Sequence, residues 1–311
     1  MDLPSGGTIQ RTVTVPLPDP GTGALGADVM WLVDLSGSFG DDLSTWKSQA
    51  EDIANALASE VSDVRFGLSS FVDAPCSPFG SVGDYGYKLE LALTRNKSDF
   101  VSAIQALGIF YGYDGPESQL EAMYQAMTGE GREVTGSCAG ATIPPTEPGW
   151  LSGRLRFLLV STDAPFHRPS DSGYPYPTTP DDVIRVAKDM GVRIFFLDGG
   201  GIDSEAARIA SETGGSVYPV GSGSGEIVAA IRDALGGSIV SAEVRLIPVG
   251  DRGLVARIEP DKATVNLRTT REITFTVTFS DPGLSGTVYF ILEVRVNGAV
   301  IANIPVAVHI K

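Results

Sequence analysis

The chain has 311 residues, 42% hydrophobic and 20% charged, the balance of an ordinary globular protein with length for about two domains. A formal net charge of −15 argues against nucleic acid or an anionic membrane surface as partner and favours cations. No apolar run reaches the ~18–20 residues that span a bilayer, and the opening MDLPSGGTIQ is not a signal peptide. Such a start suits a cytosolic protein or a piece of a longer chain. The two cysteines, Cys76 and Cys138, cannot build a zinc ribbon; they suit one disulfide or two buried thiols. Two histidines, His167 and His309, leave little for imidazole catalysis.

The first element is TIQRTVTVPL, residues 8–17, whose alternation predicts a half-buried strand. From residue 26 to 236 apolar runs alternate with amphipathic helices. DVMWLVD, VRFGLSSFV, YKLELALT, LRFLLVST, VRIFFLD and GSVYPV read as strands. Their continuous Val, Ile, Leu and Phe content predicts cover on both faces, as in a parallel sheet. Behind the first strand, Leu43, Trp46, Ala50, Ile53 and Leu57 recur at helical spacing. The connection APCSPFGSVGDYG is too short and too rich in Gly and Pro for a crossover helix, so the strand it enters is predicted antiparallel. In TTPDDVIRVAKDMG, Thr179 is the expected N-cap, Pro180 the first helical residue and Gly191 the stop. GSGSGE, residues 221–226, reads as a flexible turn into the last helix. From residue 237 the period changes to two in SAEVRLIPV, EITFTVTFS, TVYFILEVRV and VIANIPVAVHI, with Asn297-Gly298 as a hairpin signal. A lone strand is not stable in water. Residues 8–17 are therefore expected to pair with these C-terminal strands. The predicted fold is an α/β doubly wound, mostly parallel six-stranded sheet at 26–236, inserted into an antiparallel β-sandwich formed by 1–25 and 237–311.

In a doubly wound sheet, ligands gather at the strand ends where the winding reverses. Two strands end there in a carboxylate, Asp34 in DLSGS and Asp163 in LLVSTDAPFH. With the Ser36 and Ser38 hydroxyls beside Asp34, the set is all hard oxygen and suits Mg²⁺, Mn²⁺ or Ca²⁺ rather than zinc or copper. Taken singly, Asp34 with Ser36 is a common helix-cap pattern, and Asp41 with Asp42 a pair of first-turn acids. The joint pattern favours the metal.

That pattern resembles the metal-ion-dependent adhesion site of von Willebrand factor A and integrin I domains, and the likeness to integrin β-subunits runs further. DLSGSFGDDL, RFGLSSFVDAP, YGYKLELALT, DGPES and FLLVSTDAPFH resemble that family's motifs in family order. An I-like domain inserted in a β-sandwich, the hybrid domain, is also the family's arrangement. The resemblance implies Mg²⁺ (or Mn²⁺) held by Asp34, Ser36, Ser38, Glu117 and Asp163, with a position left for an acidic group of a protein ligand. It implies an adjacent Ca²⁺ site from the Ser38 carbonyl, Asp41, Asp42 and the carbonyl of Ser222. A third, synergistic Ca²⁺ site would use Asp73, Asp114, the Pro116 carbonyl and Glu117. There Gly112 stands where the family has Asn, so a side-chain ligand is lost.

The family's long disulfide-bearing loop shrinks here to residues 74–85, and its ligand determinants do not carry over. Residues 129–153 form an extra Gly/Pro-rich loop that enters the Asp163 strand from its far end, with a structural or interdomain role expected. A Cys76–Cys138 bridge would require that loop to climb the domain, which weighs against it. Tyr111 and Tyr113 border the ligand groove or pack on neighbouring helices, and His167 reads as a surface loop residue. Sparse cysteine, high glycine and compact loops point to a microbial, prokaryotic integrin β-like relative.

The function expected is divalent-cation-dependent adhesion or protein binding at a cell surface, with an α-integrin-like β-propeller as a further partner. No nucleic acid and no membrane insertion by this segment are expected. A helix running directly into the sandwich would couple the metal site to a swing of the hybrid domain. The alternatives are an assembly module with a vestigial metal site and, last, a metal-assisted hydrolase. No Ser–His pair, activated Cys or P-loop Lys supports an enzyme.

Overall fold

Val29–Val33 is an unbroken run of large apolar side chains, and the strand containing it is buried at all eight positions. Such a strand needs cover on both faces. The computed structural model, which describes every residue except 23–24 and 222–225, provides it. The first strands are β1 (Asp2–Leu3), β2 (Thr8–Pro16) and β3 (Ala27–Asp34), followed by α1 (Gly40–Glu60), β4 (Val64–Phe71) and β5 (Lys88–Thr94). Then come α2 (Lys97–Ala106), α3 (Gln119–Thr128), β6 (Leu155–Thr162), α4 (Pro180–Met190) and β7 (Val192–Asp198). The helices α5 (Glu205–Thr213) and α6 (Ile227–Val240) flank β8 (Val217–Pro219). The chain closes with β9 (Ala242–Val249), β10 (Val255–Glu259), β11 (Ala263–Val265), β12 (Glu272–Ser280), β13 (Gly286–Val296) and β14 (Ala299–Ile310).

Six strands form one sheet in the order β5-β4-β3-β6-β7-β8, all parallel except β5, which runs antiparallel to β4 as its short connection requires. Along β3, Val29, Trp31 and Val33 face one core while Met30 and Leu32 face the other. The first core is closed by α1, α2 and α6, the second by α3, α4 and α5. All five residues of the α1 stripe are buried, and Trp46 stacks on Trp31 at 4.4 Å. Such an aromatic pair adds about 0.5–1.5 kcal/mol beyond area burial. At α4 the Thr179 capping box, the first-turn Pro180 and the left-handed Gly191 stop are all present. Gly191 has a second reason to be glycine, because a Cβ there would lie 2.5 Å from the backbone N of Ala299.

The remaining strands form a five-stranded sheet, β1-β14-β13-β9-β11, and a three-stranded sheet, β10-β12-β2. β2 pairs antiparallel with β12 over its whole length, from Thr8 opposite Ser280 to Pro16 opposite Glu272. The chain thus leaves the three-stranded sheet after β2, builds the α/β unit, and passes through α6 into β9 of the five-stranded sheet. One residue, Ser241, separates α6 from β9. Ile239 and Ala242 on either side of that join are fully buried in the core that continues into Phe275, Val277 and Leu292 of these two sheets. Side chains seal the seam. Asn297, in the left-handed β13–β14 turn, donates from Nδ2 to the Ser238 carbonyl at 2.9 Å and accepts from Arg193 at 2.6 Å.

Residues 129–153 correct one expectation, that against the disulfide. The loop climbs the outside of the sheet before it enters β6 from the far end. Arg132 pairs with buried Glu121 at 3.0 Å, and the backbones of Arg132 and Ile143 exchange hydrogen bonds of 2.7 and 2.8 Å. The Pro148 carbonyl accepts from Leu93 N at 3.0 Å, so the loop caps the otherwise open β5 edge. A 3₁₀ turn at Gly136–Ala141 then delivers Cys138 to Cys76, and the two form a disulfide. Among the described residues no helix is long and apolar enough to cross a membrane.

Candidate metal-binding site

The winding reverses between β3 and its neighbours β4 and β6, and at that edge the strand ends present a row of acids. Asp34 closes β3, Asp73 follows β4 by two residues, Asp163 follows β6 directly, and Asp198 closes β7. In-register parallel pairing brings them level, with Asp34 opposite Phe71 and Thr162 opposite Asp198.

Asp34 is fully buried. It accepts from the Ser36 backbone N at 2.9 Å and from the Thr162 hydroxyl at 2.6 Å. Gln119 Nε2 in turn donates to Thr162 Oγ1 at 2.9 Å, which fixes that hydroxyl. Ser36 Oγ lies 3.3 Å from Ser38 Oγ, and Ser38 donates to Asp163 Oδ1 at 2.9 Å. Four of the five expected adhesion-site residues are thus linked through their polar atoms. The turn after Asp34 is held by Gly37 N donating to the Tyr111 carbonyl at 3.1 Å.

Glu117, the fifth, is 3% exposed, and its Oε2 is buried with no hydrogen-bond partner. Burial, followed by the charges of Asp34, Asp73, Asp114 and Asp84, pushes its carboxyl up to about 10. Burial likewise raises Asp34 to about 7, against the pull of the Thr162 and Ser36 hydrogen bonds. Asp163 is also raised, again chiefly by burial. Buried, like-charged carboxylates with an orphaned oxygen cost free energy that a cation offsets. The donor set is hard oxygen throughout, so the residues fit Mg²⁺ or Mn²⁺.

Asp41 and Asp42 occupy the first turn of α1, Asp41 exposed and Asp42 buried. A Cβ added at Gly199 would lie 3.3 Å from Asp163 Cβ and 3.5 Å from Asp42 Oδ1, so this end of α1 and the Asp163 loop converge. Ser222, the remaining member expected of the adjacent site, and residues 222–225 of GSGSGE lie outside the described residues.

The third cluster holds a correction. His167 is 3% exposed, not a surface residue. Its Nε2 lies 3.1 Å from Asp114 Oδ1 and 3.2 Å from Asp73 Oδ2, and its Nδ1 2.9 Å from Asp171 Oδ2. The Asp73 contact is off-line for a hydrogen bond but within ion-pair distance. Burial alone would depress the imidazole; Asp73, Asp171 and Asp114 outweigh it and raise the ring to about 9. The ring is gathered in because its own backbone N donates to the Glu117 carbonyl at 2.9 Å, while Glu117 N donates to the Pro165 carbonyl at 3.0 Å. Pro116 is half-buried in the same loop. Gly112 has φ +63°, and a Cβ there would lie 2.7 Å from Glu117 Oε1, so no side chain fits without moving that glutamate. Tyr111 and Tyr113 are 84% and 74% exposed, which excludes packing against neighbouring helices.

Sequence reasoning missed Thr162, Asp84, Asp198 and Asp171. Thr162 and Asp198 carried a signal, since each ends a strand at the same edge. Asp84 and Asp171 sit in irregular loops, where no periodicity announces direction.

The family model for the integrin beta chain VWA domain matches residues 24–182, just over half of the chain. Integrin beta-6 of Rattus norvegicus is 27% identical over 172 residues, covering 50% of this chain and 20% of the relative. Integrin beta pat-3 of Caenorhabditis elegans is 25% identical over 169 residues, covering 50% and 19%. The chain therefore spans about a fifth of the length of these relatives. A solved structure, von Willebrand factor type A from Catenulispora acidiphila, overlaps 100% of this chain and 71% of its own at 12% identity, with a TM-score of 0.46. The family is one of non-enzymatic modules. With the parallel sheet, its antiparallel edge strand and the acids at the winding reversal, the match to more than half the residues shows that the chain belongs to the integrin beta chain VWA domain family.

Proposed function

We propose that this chain is a divalent-cation-dependent adhesion module that captures an acidic side chain of a partner protein. Asp34, Ser36, Ser38, Glu117 and Asp163 would hold Mg²⁺ or Mn²⁺, and the ion would supply a positive centre to which a partner carboxylate can bind. The protein's own residues do the rest. Thr162 and the Ser36 N–H orient Asp34, Ser38 orients Asp163, and burial shields Asp34 and Glu117 from water, while Ser38 stays exposed on the side open to a partner. The observation that carries the reading is the buried, unpartnered Glu117 Oε2 beside four further acids. Without a cation, a chain of net charge −15 would repel an acidic partner.

Asp41, Asp42, the Ser38 carbonyl and Ser222 would hold a flanking Ca²⁺. We read 1–25 and 237–311 as one hybrid-like sandwich interrupted by the I-like domain at 26–236. The short α6–β9 join would let movement of α6 swing that sandwich. Cell-surface location and an α-integrin-like β-propeller partner follow from the family resemblance and belong to the same proposal. The test uses immobilised peptides that each carry one Asp or Glu. Binding should require Mg²⁺ or Mn²⁺, vanish in EDTA, and vanish in Asp34→Ala. Retention of partner binding in both would instead support an assembly module whose metal site is vestigial.

A further inference from the structure

We propose that the cleft between the α/β unit and the five-stranded sheet binds a tetrahedral oxyanion, the phosphate or sulfate group of a small ligand. The cleft is a cavity of about 490 Å³ bounded by the ends of α4 and α5, the start of β7, and the outer face of β9 and β13. Small-molecule sites commonly have this size and commonly lie between two units of a fold. None of the expected adhesion-site residues lines it.

Its charge runs against the rest of the molecule. In a chain of net charge −15, four cations, Lys188, Arg193, Arg245 and Arg295, line this one cavity with two acids, Glu212 and Glu243. Two independent observations show that the cations there lack negative charge. First, Arg245 on β9 stands directly opposite Arg295 on β13. Side chains so paired have Cβ atoms about 4.5–5.5 Å apart, and like charges at that spacing are destabilising. Both alternate along their strands with buried Val244, Leu246, Val294 and Val296, so both point away from the core and into the cleft. Second, Arg193, half-buried at the start of β7, pairs with no carboxylate among the described residues. Its one hydrogen-bond partner there is neutral, Nη2 donating to Asn297 Oδ1 at 2.6 Å. Burial outweighs the pull of Glu243 and lowers this guanidinium to about 10. A desolvated cation without counter-charge costs free energy that an anion offsets. The negative end of α5 supplies only part of it; a Cβ at Gly214, the cap of that helix, would lie 3.2 Å from Arg193 Nε.

The three guanidiniums are also held in place. Asn297 Oδ1 accepts from the Glu243 backbone N at 2.8 Å as well as from Arg193, which fixes the amide. Glu243 Oε1 accepts from Arg245 Nε at 2.7 Å, and Glu293 Oε2 from Arg295 Nε and Nη2 at 2.9 and 2.6 Å. Arg245 keeps both terminal nitrogens for a ligand, Arg295 keeps Nη1, and Arg193 keeps Nε and Nη1. A planar carboxylate satisfies one such fork, whereas a tetrahedral oxyanion presents oxygens to three forks at once. Arg193 belongs to the α/β unit and the other two to the five-stranded sheet, so the bound group bridges the units.

The experiment is arginine Nε–H NMR on the wild-type chain in EDTA at constant ionic strength, titrated separately with inorganic phosphate, inorganic sulfate and acetate. EDTA silences the metal-dependent site, so this test and that of the adhesion reading fail independently. The Arg193, Arg245 and Arg295 signals should shift together and saturate with one Kd of about 1 mM or below for phosphate or sulfate, while Arg95, at the far end of the sheet, stays unmoved. Tighter phosphate points to a phosphorylated ligand and tighter sulfate to a sulfated one, and either supports the site. Arg245→Gln and Arg295→Gln, each of which relieves the cross-strand repulsion and so leaves folding intact, should weaken binding about tenfold apiece. The proposal is overturned by an absence of saturable shifts, by acetate acting as well as phosphate and sulfate, by Arg95 moving with the other three, or by undiminished affinity in the doubly substituted chain.

Discussion

Removing the negative charge of Asp34 should make the metal-free protein less sensitive to alkali while destroying its response to metal. In the folded chain this buried carboxyl titrates near 7 instead of 3.8. A raised acid keeps its proton longer folded than unfolded, so the folded state is favoured at low pH. Stability declines as pH rises through about 4 and levels off once the folded group ionises near 7. A rise of roughly three units corresponds to about 4 kcal/mol at about 1.4 kcal/mol per unit. Of that, roughly 2.5 kcal/mol is lost between pH 5 and 8. Glu117, raised to about 10, adds a decline that continues beyond pH 8. Asp34→Asn removes the first contribution and eases the second, because the Asp34 charge is among the causes of the Glu117 shift. The assay is urea denaturation in EDTA at both pH values. Wild type should lose ~2–3 kcal/mol more than Asp34→Asn on going from pH 5 to 8. Mg²⁺ at ~100 times its Kd should restore about 2.7 kcal/mol to wild type and nothing to the variant. Equal losses in the two proteins would refute the idea that Asp34 is a strained acid awaiting a cation.

Other perturbations probe separate parts of the account. Replacing Cys76 and Cys138 by Ser opens a loop of 62-residue separation, worth at most about 4 kcal/mol on the chain-entropy estimate; an unchanged urea midpoint would mean that the Glu121–Arg132 anchor alone holds residues 129–153. Arg193→Met removes the hydrogen bond to Asn297 at the seam and should cost about 1–3 kcal/mol while enlarging the radius of gyration in small-angle scattering. If neither quantity moves, that contact does not hold the two units together. Gly112→Asn should push Glu117 aside and shrink the Mg²⁺-dependent rise in melting temperature, and an undiminished rise would show that Glu117 is placed by other neighbours. Thr179→Ala should cost about 1 kcal/mol of stability in the same denaturation assay, and no loss would mean the capping box is idle.

Much of the α/β fold was legible because its signals are local or periodic. The α1 stripe, the Thr179 cap, the Gly191 stop and the antiparallel β5 each follow from a few neighbouring residues. Of the site, Asp34 with its two serines could be read because a strand end and a turn fix their directions. His167 could not. Its burial depends on the Glu117 and Pro165 backbones meeting across two loops, a contact between residues 48 positions apart that no periodicity records. The disulfide was hidden for the same reason. Cys138 reaches Cys76 only because a buried Glu121 and an edge strand lacking a partner draw the loop upward.

The central claim is that residues distant in the chain share one ion at the β3 edge. Anomalous diffraction at the manganese edge, from crystals grown in millimolar Mn²⁺, tests it most directly. The account predicts a strong peak in contact with the Ser36 and Ser38 hydroxyls and bounded by Asp34, Glu117 and Asp163. A map with no manganese among these five residues, at an occupancy that other sites reach, would contradict it.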